Sequence, residues 1–312
     1  MLVYFHKREY NVTYFSVLGG IGMVFGSVAV LAAVFSVIMC VVTGGFAGLQ
    51  WLWMIPVYWL GAFLGIALLI FLVVLVMYAF VDQEKEQKQD NRLYRSVIYM
   101  IADAAYSLLR IRVKRVGVEK IPTDGRVLLV CNHLHNGDPV ILFHEVKKKQ
   151  KLAFIAKREA GQMFVVGKFM HKMLCQRINR ENDREALKTI LKCIEIIKED
   201  KASIAVFPEG GILDGKVPHP FRSGVFKIAL RTHVPIVVCT LWGTQDLFHN
   251  ALRLKPTDVD FHVVGVIRPE EYEGMTAVEI AHIAHGMMAA DLGPDRVIHV
   301  EEKPCVKGKK QV

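Results

Sequence analysis

Two long apolar runs, at about 14–42 and 52–80, dominate the beginning of the chain. None of the residues from 10 to 81 is charged. Each run is longer than the roughly 20 residues that a helix needs to cross a bilayer. The connector 43–50 contains three glycines, which suit a tight turn between two helices. This pattern predicts that residues 1–81 form a transmembrane hairpin of two helices.

After residue 81 the pattern changes to an alternation of short segments. A charged linker and an amphipathic helix are predicted over 82–110. From 111 to 300, short apolar runs typical of buried strands alternate with stretches of helical period, which predicts an α/β sheet with helices on both faces. The basic segment 301–312 is expected to be a flexible tail. The predicted strands are 111–118, 127–131, 152–156, 175–178, 203–207, 235–242 and 259–266, and the predicted helices of this domain are 139–147, 159–174, 183–200, 225–232 and 277–290.

The positive charge of the chain is concentrated in its second part. The formal net charge is +9, of which 1–81 carries +1 and the rest of the chain +8. Lys7 and Arg8 precede the first apolar run, and Lys85 and Lys88 follow the second. The positive-inside rule therefore places both ends, and the α/β domain, on the cytoplasmic side. We expect an integral membrane protein, and the absence of an evident organelle signal favours a bacterial cytoplasmic membrane.

A basic domain tethered to a bilayer suits contact with anionic lipid headgroups. Nucleic acid is the other common partner of a basic protein, but the sequence has neither zinc-finger spacing nor an interleaved stripe of aromatic and basic residues. A nucleic-acid partner is therefore not expected. The six cysteines form no C-x-x-C pair, and several lie inside apolar runs. This pattern indicates reduced, structural cysteines, in agreement with a domain that faces the cytosol.

The segment Cys131–Pro139 carries the clearest chemical signal. A predicted buried strand ends in Asn132-His133, a loop containing glycine follows, and Asp138 begins a predicted helix. Ligand sites of open α/β sheets lie at such strand ends. Four intervening residues allow Asp138 to accept a hydrogen bond from one imidazole nitrogen of His133, so that the other nitrogen can take a proton from an alcohol. The alternative for Asp138 is an ordinary helix cap.

A second signal follows the predicted strand at 203–207. Phe207-Pro208 leads directly into Glu209, Gly210 and Gly211. An acid at the rim of a sheet, followed by two glycines, suits a tight ligand loop with free backbone N–H groups. The alternative is a turn that happens to carry an exposed acid.

Together these segments resemble the glycerolipid acyltransferase family, which includes the 1-acylglycerol-3-phosphate (lysophosphatidic acid) acyltransferases. The resemblance covers about 111–243 and rests on four motifs that occur in the family's order. The first is His-x4-Asp preceded by Asn, and the third begins Phe-Pro-Glu-Gly. The matching residues are Asn132, His133 and Asp138 for the first motif, Ile178, Asn179 and Arg180 for the second, Phe207, Pro208, Glu209 and Gly210 for the third, and Val234, Pro235 and Ile236 for the fourth.

The resemblance implies a membrane-bound O-acyltransferase of phospholipid biosynthesis. His133 would act as general base on the free hydroxyl of a lysophospholipid acceptor, and Asp138 would orient it and stabilise the imidazolium. The alkoxide would attack the thioester of acyl-CoA or of acyl carrier protein. Arg180, Glu209 and Gly210 would line the acceptor site. No metal or other cofactor is implied, and the lipid bilayer is an expected partner.

One motif departs from the family pattern. Relatives usually continue the third motif with Thr-Arg, and that arginine helps to hold the phosphate, whereas this chain has Gly211 and Ile212. Basic residues close by in the sequence, namely Lys216, Arg222 and Lys227, are candidates to replace it. The acceptor could instead be a different lysolipid or an amino-lipid hydroxyl. The candidate substrate-binding residues are therefore Arg180, Glu209, Gly210, Gly211, Lys216 and Arg222.

Two further alternatives belong to other classes of protein. His133 and His135, with Asp138, have the spacing of a metal-ligand cluster, as in a metallohydrolase. No second cluster of this kind follows in the sequence, and no metal ligand is therefore predicted. An inactive lipid-binding relative is suggested by the altered third motif alone. The intact pair of His133 and Asp138 argues against it.

Overall fold

The structure is a computed structural model that describes residues 21–179 and 182–298, with the backbone alone for 21–25 and Gln162. Two apolar helices lead into the α/β domain, α1 (Ile21–Val42) and α2 (Trp51–Ala79). They pack against each other, and Trp59 Nε1 donates a hydrogen bond to the carbonyl oxygen of Ala29 at 3.0 Å. Within the described ranges, α2 alone is long and apolar enough to cross a membrane. The transmembrane hairpin of two helices therefore stays a prediction.

The strands of the described residues are β1 (Ile111–Val116), β2 (Leu128–Cys131), β3 (Leu152–Lys157), β4 (Gln176–Ile178), β5 (Ser203–Val206), β6 (Gly215–Lys216), β7 (Ile236–Trp242), β8 (Thr257–Ile267) and β9 (Val297–Ile298). Seven of them form one sheet, in the order β1-β8-β7-β2-β5-β3-β4, and β6 and β9 form a separate two-stranded ribbon. This mixed sheet with flanking helices confirms the predicted fold class. The remaining helices are α3 (Arg92–Leu108), α4 (Asp138–Val146), α5 (Val166–Lys172), α6 (Asp183–Lys198), α7 (Lys227–Thr232), α8 (Leu247–Leu252) and α9 (Ala277–Leu292).

Strand direction divides the sheet into two parts. Strands β7, β2, β5, β3 and β4 run parallel to one another. Strand β8 is antiparallel to β7, and β1 pairs in parallel with β8. The central strands β2 and β5 are buried at every position, as expected for parallel strands covered on both faces.

The connections between the parallel strands reverse direction at the centre of the sheet. From β2 the chain crosses through α4 to β3, towards the β4 edge, whereas from β5 it crosses through α7 to β7, towards the other edge. Because such crossovers are right-handed, α4 and α7 lie on opposite faces. The loops that leave the neighbouring strands β2 and β5 therefore diverge. A crevice opens between them at the carboxyl ends of the strands, where ligands bind in sheets of this type.

Helix α4, which begins at Asp138, is held by a buried polar network. Tyr106 Oη of α3 donates a hydrogen bond of 2.5 Å to Glu145 Oε1, and Arg115 forms an ion pair with the same carboxylate. His144 Nδ1 lies 2.7 Å from Asp103 Oδ1, and Lys147 also pairs with Asp103. These charged and polar contacts fix the helix against α3 and β1.

The segment predicted as one helix over 159–174 is divided in the structure. A 3₁₀ turn over Arg158–Gln162 is followed by α5, and Val165 between them has a φ of 60°. The chain folds back so closely that a Cβ on Gly167 would lie 2.3 Å from the carbonyl oxygen of Gly161. The two glycines permit this close approach, which periodicity alone does not reveal. Helix α8 and the β6–β9 ribbon were also not predicted.

Replacing Glu145 with Ala should destabilise the protein by about 1–3 kcal/mol, because the buried Tyr106 and the half-buried Arg115 lose their shared partner. Denaturant unfolding in detergent would measure this loss. Glu195→Ala is the matched control, since Glu195 is an exposed glutamate on α6. Equal stability of the two variants would contradict the structural role of the network.

Candidate active site

The structure brings the two predicted chemical segments together at the centre of the sheet. In the parallel pair of β2 and β5, Val130 lies opposite Val206. His133 follows Val130 by three residues, and Glu209 follows Val206 by three residues. Both side chains therefore leave the sheet at the same level, in the crevice where the crossovers reverse. Strand pairing thus unites segments that are far apart in the sequence.

His133 and Asp138 form the hydrogen-bonded pair that their spacing predicts. His133 Nδ1 lies 2.8 Å from Asp138 Oδ2, and Asp138 is completely buried. The same oxygen accepts the backbone N–H groups of Leu134 at 2.7 Å and His135 at 2.9 Å. Asp138 is the first residue of α4, and Gly137 occupies the N-cap position. The carboxylate therefore turns back to hold the loop that carries His133, rather than capping the helix.

The imidazole of His133 is oriented by a ring contact as well as by Asp138. It stacks on Phe207, with ring centroids 4.2 Å apart and planes inclined by 15°. The side chain is 16% exposed. No described residue hydrogen-bonds to Nε2, so this nitrogen is available to a bound substrate. The sequence motif includes Phe207, but its spacing alone did not indicate the stacking.

Asn132 fixes the end of strand β2 and thereby the backbone of His133. Its side chain is fully buried, accepts the N–H of Leu241 at 2.7 Å and donates to the carbonyl oxygen of Leu241 at 2.9 Å. The side-chain amide of Asn132 thus pairs with both the backbone N–H and the backbone carbonyl of Leu241. Leu241 lies on β7, just beyond the last paired residues of β2 and β7. We predicted Asn132 only as part of a motif, and its positioning contact requires knowledge of the neighbouring strand.

Glu209 is buried rather than exposed at the rim of the sheet, because the loop 210–222 folds back beside it. The residue is 4% exposed, and neither carboxylate oxygen has a hydrogen-bond partner among the described residues. Burial, reinforced by the nearby charge of Asp138, raises the pKa of Glu209 to about 8. The backbone N–H groups of His133 and His219 lie close enough to lower the pKa of Glu209 in part. Neither of them donates a hydrogen bond to the carboxylate.

Arg222 is the predicted basic residue that the structure places closest to the third motif. Gly210 has a φ of 86°, and a Cβ there would lie 2.7 Å from Arg222 Nε. The backbone N–H of Arg222 also donates to the carbonyl oxygen of Pro208 at 2.8 Å. The guanidinium group therefore lies over Gly210, and Gly211 is buried. Gly210 is required both by its backbone conformation and by this close approach.

One other predicted binding residue, Lys216, is not brought to His133 and Asp138. Lys216 is exposed on β6, which pairs with β9, and no hydrogen bond or ion pair joins it to the site in the described part of the chain. Arg180 lies outside the described residues. Its neighbours Ile178 and Asn179 line a cavity of about 220 Å³ together with Arg158 and Arg177. This cavity lies at the carboxyl ends of β3 and β4, and neither His133 nor Asp138 lines it.

The segment 292–298 supports the site in a way that the sequence did not reveal. Leu292 and Ile298 pack with Leu134, the residue after His133, and with Val217 of the loop that follows Glu209. Strand β9 also pairs with β6 of that loop. Both halves of the site therefore rest on the same small apolar cluster. No periodic pattern marks so short a strand.

The alternative of a metal site gains no support from His135. Its Nδ1 accepts the backbone N–H of Gly137 at 3.1 Å, and its ring meets the ring of Phe248. Residues 21–179 and 182–298 contain no group of three His, Cys, Asp or Glu side chains arranged to hold a metal ion.

Comparison with known proteins identifies the class of domain that carries this site. The family described as Acyltransferase matches residues 112–242. Within this range, which includes His133, Asp138 and Glu209, the chain is similar to the acyltransferase family. A solved structure of the 1-acyl-sn-glycerophosphate acyltransferase of Thermotoga maritima has the same fold, with a TM-score of 0.52 at 21% identity, over 72% of this chain and 89% of that chain.

Three curated relatives are also named as acyltransferases. A probable 1-acyl-sn-glycerol-3-phosphate acyltransferase of Mycoplasma pneumoniae is 31% identical over 166 residues, or 52% of this chain and 61% of the relative. The 1-acyl-sn-glycerol-3-phosphate acyltransferase of Borreliella burgdorferi is 29% identical over 170 residues, or 53% of this chain and 67% of the relative. That of Cocos nucifera is 28% identical over 158 residues, or 48% and 49%. The chain thus spans about half to two thirds of the length of these relatives.

Replacing Glu209 with Gln should stabilise the protein at alkaline pH. Because the folded state holds the proton of Glu209 more tightly than the unfolded state, stability falls as pH rises from about 4.5 towards 8. Gln removes this titration, so the variant should gain up to about 4 kcal/mol at pH 8 and little at pH 5. Unfolding curves at both pH values would measure the difference. Glu273→Gln, at an exposed residue, should show no such trend.

Proposed function

We propose that this protein is a membrane-bound acyltransferase that transfers a fatty-acyl group from a thioester donor to the free hydroxyl of lysophosphatidic acid. The observation that carries the proposal is the His133–Asp138 pair, with Nε2 open, in the central crevice of an acyltransferase-family domain. The names of the three curated relatives described above, each a 1-acyl-sn-glycerol-3-phosphate acyltransferase or a probable one, support this acceptor. The donor is acyl-CoA or acyl carrier protein.

The geometry supports a direct transfer in which His133 acts as a general base. Nε2 takes the proton of the acceptor hydroxyl while that oxygen attacks the thioester carbonyl. Asp138 accepts from Nδ1, which holds the neutral ring in the required tautomer and then stabilises the imidazolium. When the tetrahedral intermediate collapses, the carbon–sulfur bond breaks and the thiolate takes the proton from Nε2. The products are the lipid ester and the free thiol, and His133 is regenerated.

The acceptor phosphate needs a cationic partner, because the third motif of this chain lacks its usual arginine at Ile212. Arg222 is suited to this role, since its guanidinium lies over Gly210 and its side chain is exposed. A guanidinium binds phosphate through two parallel hydrogen bonds. Lys216 and Arg180 remain candidates for further contacts with the acceptor. No cofactor is required by this chemistry.

The altered third motif favours one second candidate, an acyltransferase that uses a different lysolipid. With Gly211 and Ile212 in place of Thr-Arg, the third motif lacks one cation, and Arg222 is the basic side chain beside it. An acceptor with a smaller headgroup charge, or an amino-lipid hydroxyl, is compatible with that arrangement. An inactive lipid-binding relative is less compatible, because the buried Asp138 keeps every contact that orients His133.

Membrane placement completes the proposal. Helix α2 would cross the bilayer, and the basic residues that follow it would keep the α/β domain on the cytoplasmic side. The acceptor and the product are membrane lipids, so a tethered enzyme meets them without extracting them into water. We propose the bacterial cytoplasmic membrane as the location.

Purified protein in detergent should release thiol from acyl-CoA only when lysophosphatidic acid is present. His133→Ala should lower the rate by about 10²–10⁴-fold, since the general base is lost. Free thiol and the product lipid would both be measured. His282→Ala is the matched control, because His282 is exposed on α9, and it should keep full activity. Activity that survives His133→Ala would contradict the mechanism.

The same assay distinguishes between the candidate donors and between the candidate acceptors. If acyl-CoA gives no transfer, acyl carrier protein would be tested as the donor and a panel of lysolipids as acceptors. Transfer to another lysolipid alone would support the second candidate. Absence of transfer to every acceptor would refute the proposed activity.

Arg222→Ala should raise KM for lysophosphatidic acid by about 10–100-fold, because one charged hydrogen-bond partner of the phosphate is removed. The KM for an uncharged monoacylglycerol should change little. Arg231→Ala, at an exposed arginine on α7, is the matched control. Equal changes in KM for both acceptors would show that Arg222 supports the loop and does not read the phosphate.

A further inference from the structure

An exposed apolar tip projects from the domain between β3 and α5. It consists of Met163 and Phe164, which are 55% and 60% exposed. Next to them Val165 has a φ of 60°, a conformation that β-branched residues rarely adopt. Val165 itself packs against the core. The backbone therefore directs two large apolar side chains outward, and the described part of the chain leaves more than half of each exposed.

The tip lies against the end of the helix that would cross the membrane. The rings of Phe164 and Tyr78 have centroids 5.1 Å apart, and Tyr78 is the second-last residue of α2. Lys168 Nζ lies 4.1 Å above the ring of Tyr78 and donates to its carbonyl oxygen at 3.2 Å. Tyr94 Oη donates to the carbonyl oxygen of Met77 at 3.0 Å. These contacts fix the height of the tip relative to α2.

The boundary between apolar and polar groups passes directly beside the tip. Phe80, which follows α2, is 79% exposed, whereas the chain becomes polar from Asp82 onward. Gln83 Nε2 donates to the carbonyl oxygen of Gly161 at 3.1 Å, so the polar linker returns to the base of the tip. Tyrosine rings and lysine ammonium groups together are typical of the interface between lipid and water.

The tip also lies on the catalytic side of the domain. It follows the carboxyl end of β3, and β3 is separated from β2 by β5 alone. Neighbouring strands are about 4.8 Å apart, so the end of β3 lies roughly 10 Å from the end of β2, where His133 begins its loop. Exposed Lys157 and Arg158 flank the tip on this side. The edge of the sheet that carries the site is therefore the edge that α2 reaches.

We propose that Met163 and Phe164 insert into the leaflet that α2 leaves at Tyr78, at the boundary between headgroups and hydrocarbon. The tip and the end of α2 together hold the catalytic edge of the sheet against the membrane surface, and the flanking basic residues meet anionic headgroups. A lipid acceptor then reaches the crevice by moving along the leaflet. The inference rests on the proposed membrane placement of α2 and not on the chemistry at His133.

The depth of residue 164 can be measured with a nitroxide spin label in proteoliposomes of anionic phospholipid. The label would be attached through Phe164→Cys in a Cys305→Ser background, since the five described native cysteines are buried. Oxygen should relax the label more strongly than a water-soluble nickel chelate, as it does inside bilayers. Met163→Cys provides a second reporter should the first variant fail to fold. Val278→Cys, an exposed apolar residue on α9, is the control and should show the opposite preference.

An activity measurement tests the consequence for the enzyme. Phe164→Ser should lower the rate with a long-chain acceptor embedded in vesicles by about tenfold, whereas the rate with a short-chain, water-soluble acceptor should stay unchanged. A label at residues 163 and 164 that prefers the nickel chelate would overturn the inference. The depth measurement needs no turnover. An inactive protein whose label lies inside the bilayer would therefore refute the proposed function while supporting the membrane contact.

Discussion

A single carboxylate oxygen, Asp138 Oδ2, organises the candidate site. It accepts hydrogen bonds from the ring of His133 and from two backbone N–H groups of the loop between them. A fully buried carboxylate is costly unless such donors compensate its lost hydration. If the loop left this conformation, the buried carboxylate would lose the donors that compensate its lost hydration. The same oxygen thus stabilises the fold of the loop and fixes the imidazole in the orientation that the proposed base catalysis requires.

The surrounding structure serves to keep that oxygen in place. The ion pair of Arg115 with Glu145 holds α4, from whose first residue the carboxylate projects. Asn132 ties the other end of the loop to β7. The reversal of the crossovers between β2 and β5 then brings Phe207 against the ring and Glu209 beside it. Chain topology, rather than proximity in the sequence, therefore determines which groups share the crevice.

Local chemistry was predictable from the sequence, and contacts between distant segments were not. The spacing of His133 and Asp138 predicted their hydrogen bond, because four residues suffice for the turn. Apolar runs predicted the strands β2, β5 and β7, and their alternation with helices predicted the α/β sheet. The anchoring of Asn132 by Leu241 depends on strand order, and the burial of Glu209 depends on how the loop after it folds. The short strand β9 and the Gly161–Gly167 contact arise from packing that no single segment encodes.

The central claim is that His133 and Asp138 act as one catalytic unit. A double-mutant cycle for kcat/KM, with His133→Ala, Asp138→Asn and the combined variant, tests it most directly. The account predicts that the double variant is no slower than His133→Ala, because a carboxylate has nothing to orient once the imidazole is gone. Losses that multiply in the double variant would contradict it, since Asp138 would then contribute to turnover independently of His133.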